Sequence, residues 1–455
     1  MKNSTVENFF KLEQNGSTIK KEVLGGITTF LTMAYIIVVN PDILSAAGMD
    51  KGALITATCL TAAIACIFMG LYANLPFALA SGMGLNAYFA FTVCGEMGIP
   101  WQVALTAIFL EGIIFILLSI TNLREAVANC IPKNLKLAVT GGIGLFIAFI
   151  GFVNAGIVVS SEATKVAVGH LGSLPVIITF ISIIIITVCY KKGIKGSILL
   201  GIVASTVLAW VVALIAPNLA SEYHIALPGK VFEYASISPI AMKMDFSYFT
   251  DPQKLMTLLG VTLTFLFVDF FDTLGTLLGV ASKANMIDKE GRVKNGGKAL
   301  LVDAVSTTAG AMLGTSTVTT YVESASGVAD GARTGLAAVV TGVLFFVAMF
   351  FSPVIMAVPS FATAPALIFV GLFMIQNVVQ VDFNDFTEGV PAFLTIALMP
   401  LTYSIGEGLT IGILSYGVIN FISNLFEKDK SKKKKVSPII YALTIIFIIR
   451  YVLIK

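Results

Sequence analysis

Three carboxylates stand where a carboxylate is costly. Asp269 and Asp272 lie inside the apolar run Phe265-Leu-Phe-Val-Asp-Phe-Phe-Asp-Thr-Leu-Gly-Thr276, and Glu323 lies inside Thr315-Ser-Thr-Val-Thr-Thr-Tyr-Val-Glu-Ser-Ala-Ser-Gly327. An ionised acid in hydrocarbon costs several kcal/mol, so such residues face a cavity or pathway rather than lipid. Asp269 and Asp272 are three apart and on a helix project from nearly the same face. Two carboxylates so placed cannot both be comfortably ionised in a low dielectric, which suits them to carrying a proton. Glu323 can accept paired N–H donors from a planar heterocycle; its blander role is a first-turn helix acid. Asn86, in Phe77-Ala-Leu-Ala-Ser-Gly-Met-Gly-Leu-Asn-Ala-Tyr-Phe-Ala-Phe91, can both donate and accept.

The elements that must position these groups are membrane spans. The 455 residues are 57% hydrophobic and 12% charged, against roughly 25% charged in ordinary globular domains, which leaves too little charge to coat a water-facing surface. The net charge of +3 forms no basic stripe with interleaved aromatics, which argues against nucleic acid as a partner. The cysteines Cys59, Cys66, Cys94, Cys130 and Cys189 show neither metal-ligand nor CxxC spacing and read as small buried hydrophobes. The polar first two dozen residues lack the apolar core and cleavage site of a signal peptide, so the N-terminus is expected to be cytoplasmic.

Apolar segments of spanning length fall at 25–45, 53–73, 77–94, 101–121, 137–155, 174–191 and 196–216, then at 255–281, 298–314, 315–329, 334–356, 361–380, 390–404 and 408–426. Alternating sides from a cytoplasmic N-terminus puts every basic cluster inside: Arg124 with Lys133 and Lys136; Lys191 with Lys192 and Lys195; Lys283 with Lys289, Arg292, Lys294 and Lys298; and the run Lys428 to Lys435. An odd number of spans per half inverts the second half relative to the first. The expected organisation is a cytoplasmic N-terminus (1–24), a first repeat (25–216), an extracellular connection (217–254), a second repeat (255–426) and a basic tail with a further apolar stretch (427–455). Residues 437–454 read equally as an extra span or an interfacial helix.

The third segment of each half is short, interrupted and polar, and a matched pair of broken segments points to a midplane site. The β-branched run Thr317-Val-Thr-Thr320 favours a strand. Two short strands are therefore expected, one in each broken segment, each leading into a half-helix, with Thr320 at a strand end. Glu111 and Asp303 are either coupling residues or helix–helix links. Asn40, before Pro41, is expected to satisfy backbone freed at a helix end. His170 and His224 fall in expected extracellular loops, away from any proton relay. Phe270, Phe271 and Tyr321 can stack on a flat ring, though most aromatics in a chain with 33 Phe serve packing or face lipid.

Together, Thr28-Thr-Phe-Leu-Thr-Met-Ala-Tyr-Ile-Ile-Val-Val-Asn-Pro41, Gly82-Met-Gly-Leu-Asn-Ala-Tyr-Phe-Ala-Phe91, Phe267-Val-Asp-Phe-Phe-Asp-Thr-Leu-Gly-Thr276 and Gly314 to Gly327 resemble the AzgA-like purine nucleobase permeases, the adenine/guanine/hypoxanthine branch of the nucleobase cation symporters. Ser81 stands where that motif carries Pro. The resemblance implies an all-α polytopic membrane protein of fourteen spans in two inverted seven-span repeats, with core and gate domains. It also implies proton-coupled uptake of purine bases across the cell membrane. By motif, Asp269 is the acid of the eighth span with Asp272 as its neighbour, Glu323 the acid of the tenth, and Asn86 the polar residue of the third.

The expected substrate-binding set is Asn86, Asp269, Glu323, Phe270 and Thr320, and the proton-coupling set Asp269, Asp272 and Glu323. The partners are a purine base, protons and the bilayer, with a homodimer one open assembly, since the sequence does not set the oligomeric state. No cofactor or metal is expected beyond the proton gradient. An anion transporter or channel of the same architecture would want positive residues or bare half-helix N-termini at the midplane, and three carboxylates argue against it. A membrane-embedded enzyme would need a metal-binding or nucleophilic constellation that neither the histidines nor the cysteines supply.

Overall fold

The computed structural model describes residues 5–120, 132–284, 286–287, 293–429 and 433–453. Arg124, Cys130, Lys289, Arg292, Lys430 and Lys432, named above, lie outside the described residues, as do the side chains of Phe271 and Lys283.

The helices are α1 (Thr5–Phe10), α2 (Ile19–Met33), α3 (Ile36–Ser45), α4 (Lys51–Phe68), α5 (Met83–Ala87), α6 (Trp101–Ile120), α7 (Lys133–Asn154), α8 (Leu174–Lys191), α9 (Ser197–Ile215) and α10 (Pro217–Glu222) in the first half. There follow α11 (Pro252–Lys283), α12 (Gly296–Leu313), α13 (Ser324–Ala329), α14 (Gly335–Ala348), α15 (Ser352–Met356), α16 (Ser360–Ile375), α17 (Phe386–Leu401), α18 (Ile405–Phe426) and α19 (Pro438–Leu453). The strands are β1 (Leu79–Ser81), β2 (Val158–Ser161), β3 (Lys165–Val168) and β4 (Val318–Thr320). Among the described residues nine helical stretches are long and apolar enough to cross a membrane. The chain is thus a polytopic, mostly helical membrane protein.

The first apolar stretch is interrupted at Ala34 and Tyr35, between α2 and α3. Both broken segments depart from continuous helix. Residues 77–94 run through β1 into α5 and a π-helical continuation, Tyr88–Glu96. Residues 315–329 run through β4 and a turn into the short α13. The hairpin of β2 and β3, in the connection after α7, was not expected from the sequence.

The chain divides into two compact units, residues 1–120 with 150–367, and residues 121–149 with 368–455. In the first unit α12 packs on α6 and α4, α14 on α4 and α2, α13 on α2, and α11 on α6. Its apolar core includes Met69, Leu75, Phe77, Leu79, Val280, Val302 and Val318, so both β1 and β4 contribute to it. Glu22, fully buried on α2, holds the start of α14: its carboxylate accepts the backbone N–H groups of Arg333 (2.8 Å), Thr334 (3.3 Å) and Ala337 (3.3 Å). These are donors a helix N-terminus leaves unsatisfied, and a negative charge is favoured there.

In the second unit α17 packs against α18, and α18 against α19. The stretch left open above is therefore a helix laid along α18, with the Phe421 and Tyr441 rings 6.1 Å apart and edge-on.

Candidate functional site

β1 and β4 come from opposite halves of the sequence and pair antiparallel, Leu79 opposite Thr320, Ala80 opposite Thr319 and Ser81 opposite Val318. Two further backbone bonds extend the ladder, Gly82 N–H to the Thr317 carbonyl and Tyr321 N–H to the Ala78 carbonyl, each 2.9 Å. All six strand residues are buried. Extended backbone at membrane depth leaves N–H and C=O groups that protein must satisfy, and here each broken segment satisfies the other. Gly314, with φ +92°, ends α12 and turns the chain into the strand; a Cβ there would meet Ile240 at 2.7 Å.

Side chains of the polar run before β4 tie it to four elements. Thr315 hydroxyl meets Ser81 hydroxyl at 2.8 Å and accepts from Asn40 Nδ2 at 3.2 Å. Ser316 Oγ donates to Asn86 Oδ1 on α5. Thr317 Oγ1 donates to Glu111 Oε2 on α6 at 2.8 Å. Val318 N–H and C=O are both bonded to Thr307 Oγ1 of α12, at 3.2 and 3.0 Å. Asn40 thus reaches both Thr315 and Thr58 Oγ1 (2.7 Å), and Ser81 sits in an ordinary strand where its carbonyl accepts from Tyr321 OH at 2.5 Å.

Just past β4, Glu323 Oε1 accepts a 2.6 Å hydrogen bond from Tyr35 OH. Tyr35 stands at the α2–α3 interruption and is fully buried, whereas Glu323 is half-buried. Asp272 is half-buried too, and its carboxylate is close enough to Glu323 for the two charges to interact. Asp269 is fully buried. Its Oδ1 accepts from Thr273 Oγ1 at 3.2 Å, and the same hydroxyl lies 3.2 and 3.3 Å from the two oxygens of buried Asp303 on α12. The two aspartates therefore have different neighbours: Asp272 stands with Glu323, Asp269 with Asp303.

Phe270 is buried and stacks on Phe115 of α6, centroids 6.1 Å apart. Asn86 Nδ2 and Thr320 Oγ1 are buried with no hydrogen-bond partner among the described residues. His224 lines a cavity of about 480 Å³ with Lys51, Asn154, Ser173 and Ser360, to which no strand-pair residue contributes. Tyr35 is not singled out by the sequence, and Ser316 and Thr317 stand out there only as part of the polar, strand-favouring run, not for the Asn86 and Glu111 contacts they make. A Tyr six residues before a helix Pro is no signal until Glu323, 288 positions on, is known to meet it.

The strand pair thus gathers hydroxyl, amide and carboxylate groups in the interior of a membrane protein. Adenine permease AdeQ of Escherichia coli is 42% identical over 444 residues, 98% of this chain and 97% of that one. Guanine/hypoxanthine permease PbuG of Bacillus subtilis is 42% identical over 460 residues, covering 99% of this chain and all (100%) of that one. Among solved structures, the transmembrane domain of the cyanobacterial bicarbonate transporter BicA superposes with TM-score 0.63 over 86% of this chain and 97% of that one at 13% identity, a likeness of fold. The sequence profile described as the Permease family (Xan_ur_permease) matches residues 20–411, and the chain belongs to that family: it is a membrane permease and not an enzyme.

Proposed function

We propose that this permease moves purine bases across the cell membrane by alternating access, coupled to protons, with its N-terminus cytoplasmic. The observation that carries the reading is the mixed polarity left open around the strand pair. Glu323 is a half-buried carboxylate acceptor, Asn86 Nδ2 a buried donor, and Thr320 Oγ1 a buried hydroxyl able to do either. A purine offers N–H donors on one edge and ring-nitrogen or carbonyl acceptors on another, so it can satisfy all three. The names of the relatives, adenine permease and guanine/hypoxanthine permease, agree with that class.

The proton is assigned to the acids. The Thr273 hydroxyl lies between the buried carboxylates of Asp269 and Asp303, and two like charges brought that near each other repel. Holding one proton on that pair removes the repulsion. Asp272 beside Glu323 lets the charge of the binding region change with substrate occupancy. The strand pair is tied to α3, α5, α6 and α12 within one unit, so the site moves as one body during the access change.

Uptake of radiolabelled hypoxanthine into proteoliposomes, competed by unlabelled adenine, guanine, xanthine and uracil, tests the substrate class. Competition by purines and not uracil is expected, and no uptake of any base would end the reading. Uptake that ignores an imposed pH gradient and a protonophore would reject proton coupling while leaving the substrate assignment standing.

A further inference from the structure

Six lysines fall between Lys428 and Lys435, in the connection from α18 to α19. Lys434 turns inward: its Nζ lies 2.6 Å from Asp385 Oδ2 and 2.9 Å from Glu388 Oε1. Its backbone is clamped as well, its N–H donating to Asn424 Oδ1 and its carbonyl accepting from Asn424 Nδ2, both at 2.9 Å. Backbone without helical turns sends neighbouring side chains to opposite sides, and Lys433 and Lys435 are exposed, as is Lys428. Lys133 is also exposed at the start of α7, next to Asn134, whose amide donates to Glu388 Oε2 at 3.3 Å.

The same end of the second unit carries an exposed apolar rim. Phe386, 75% exposed, follows Asp385, and Phe426, 81% exposed, lies two residues after the Asn424 clamp. Phe383 and Leu425 are exposed beside them. A rim of Phe and Leu belongs at the edge of the hydrocarbon, and lysines just beyond it stand level with lipid phosphates. The exposed acids nearby, Asp382 and Asp429, are outnumbered by the lysines of the run.

We propose that this face of the second unit binds the headgroups of anionic phospholipids, with Lys428, Lys433 and Lys435 on the phosphates and Lys434 latching the segment so that they point outward. A free phosphate or nucleotide would use the lysines but have no use for the aromatic rim, and the rim is what selects a lipid. Zwitterionic headgroups carry no net charge to attract the cluster. Each lysine near an anionic surface strengthens binding about fivefold, so the three together contribute roughly a hundredfold.

The full-length protein in detergent, titrated with phosphatidylglycerol or phosphatidylcholine and read by native mass spectrometry, tests this. Wild-type protein is expected to retain phosphatidylglycerol over phosphatidylcholine, and K428Q/K433Q/K435Q to lose roughly a hundredfold in that preference. The single variant Lys435→Gln, with an expected fivefold loss, serves if the triple variant misfolds. Equal retention of both lipids, full retention by the variants, or displacement of the lipid by millimolar inorganic phosphate or ATP would each overturn the proposal.

Discussion

Tyr35→Phe isolates one hydrogen bond at the proposed ligand clamp. The donor–acceptor distance of 2.6 Å to Glu323 Oε1 is in the range of O–H bonds to an ionised oxygen. Phe keeps the ring and its packing, and Tyr35 is fully buried, so the change removes the hydroxyl and little else. Hydrogen bonds to charged groups contribute about 1.5–3 kcal/mol, which corresponds to roughly 10- to 150-fold in an equilibrium constant. If Glu323 must be held to receive the substrate's N–H groups, that loss appears mainly as weaker purine binding. The assay is the concentration dependence of purine uptake in proteoliposomes for Tyr35→Phe, Glu323→Gln and the double variant. Glu323→Gln is expected to weaken binding more, because its amide presents a donor where the substrate also donates. In the double variant the Tyr35 change should then add little, because its partner charge is already gone. A folded Tyr35→Phe protein with wild-type KM, or two changes that simply add, would refute the reasoning.

Three further outcomes follow from the packing. Thr317→Val removes the 2.8 Å hydrogen bond to the buried Glu111 carboxylate and should cost about 1–3 kcal/mol, lowering the thermal midpoint, whereas Thr317→Ser should stay near wild type. Gly112→Val forces a Cβ against Thr308, whose backbone N lies 2.8 Å from that position, so α6 and α12 must separate; overpacking of this kind costs about 1–3 kcal/mol, and size-exclusion profiles of the variant should lose the monodisperse peak. The Lys434 latch should depend on pH at both extremes. The hydrogen bond from Lys434 holds the Asp385 carboxyl below its ordinary range against the opposing effect of burial. Burial lowers Lys434, but the two carboxylates outweigh it and hold the ammonium above its ordinary value. Asp385 therefore contributes stability above its unfolded value, about 3.9, that is lost as pH falls through its folded value. Lys434 contributes below its unfolded value, about 10.4, and that contribution is lost as pH rises through its folded value. Because the pair is partly exposed, the effect is on the order of 0.5 kcal/mol. Hydrogen exchange of residues 433–453 should be flat from about pH 5 to 9 and rise outside it once corrected for intrinsic rates; a steady slope across that window would contradict the latch.

The sequence made the strand pair legible because two signals agreed: β-branched residues in Thr317 to Thr320, and small or polar residues in a segment that hydropathy alone would call a span. Register was not legible, because it depends on which backbone atoms of residues 78–82 meet those of 317–321. The same-face argument for Asp269 and Asp272 was too coarse. Three residues along a helix leave a rotation of about 60°, enough to send Asp269 against Asp303 and leave Asp272 near Glu323. Tyr35 carried no mark among 12 tyrosines, since its role exists only through a contact across the chain. The β2–β3 hairpin had Val in both strands, Val158 and Val159 against Val166 and Val168, but these short stretches lie on the surface, where apolar patterning is weak.

The likeness to a bicarbonate transporter leaves the substrate undecided, because one fold hosts unrelated ligands. The charges near the strand pair decide more. An anion entering beside Asp272 and Glu323 meets two half-buried carboxylates, and like charges repel more strongly there than in bulk water. A neutral base with N–H donors turns the same carboxylates from a barrier into acceptors. Its departure then needs those acceptors weakened, and protonating one of them does that, since a protonated carboxyl gives up acceptor capacity and becomes a donor. Under that proposal, the acids that would select the ligand are also able to release it. On the proposed reading, coupling to protons rests on the same groups that would exclude anions.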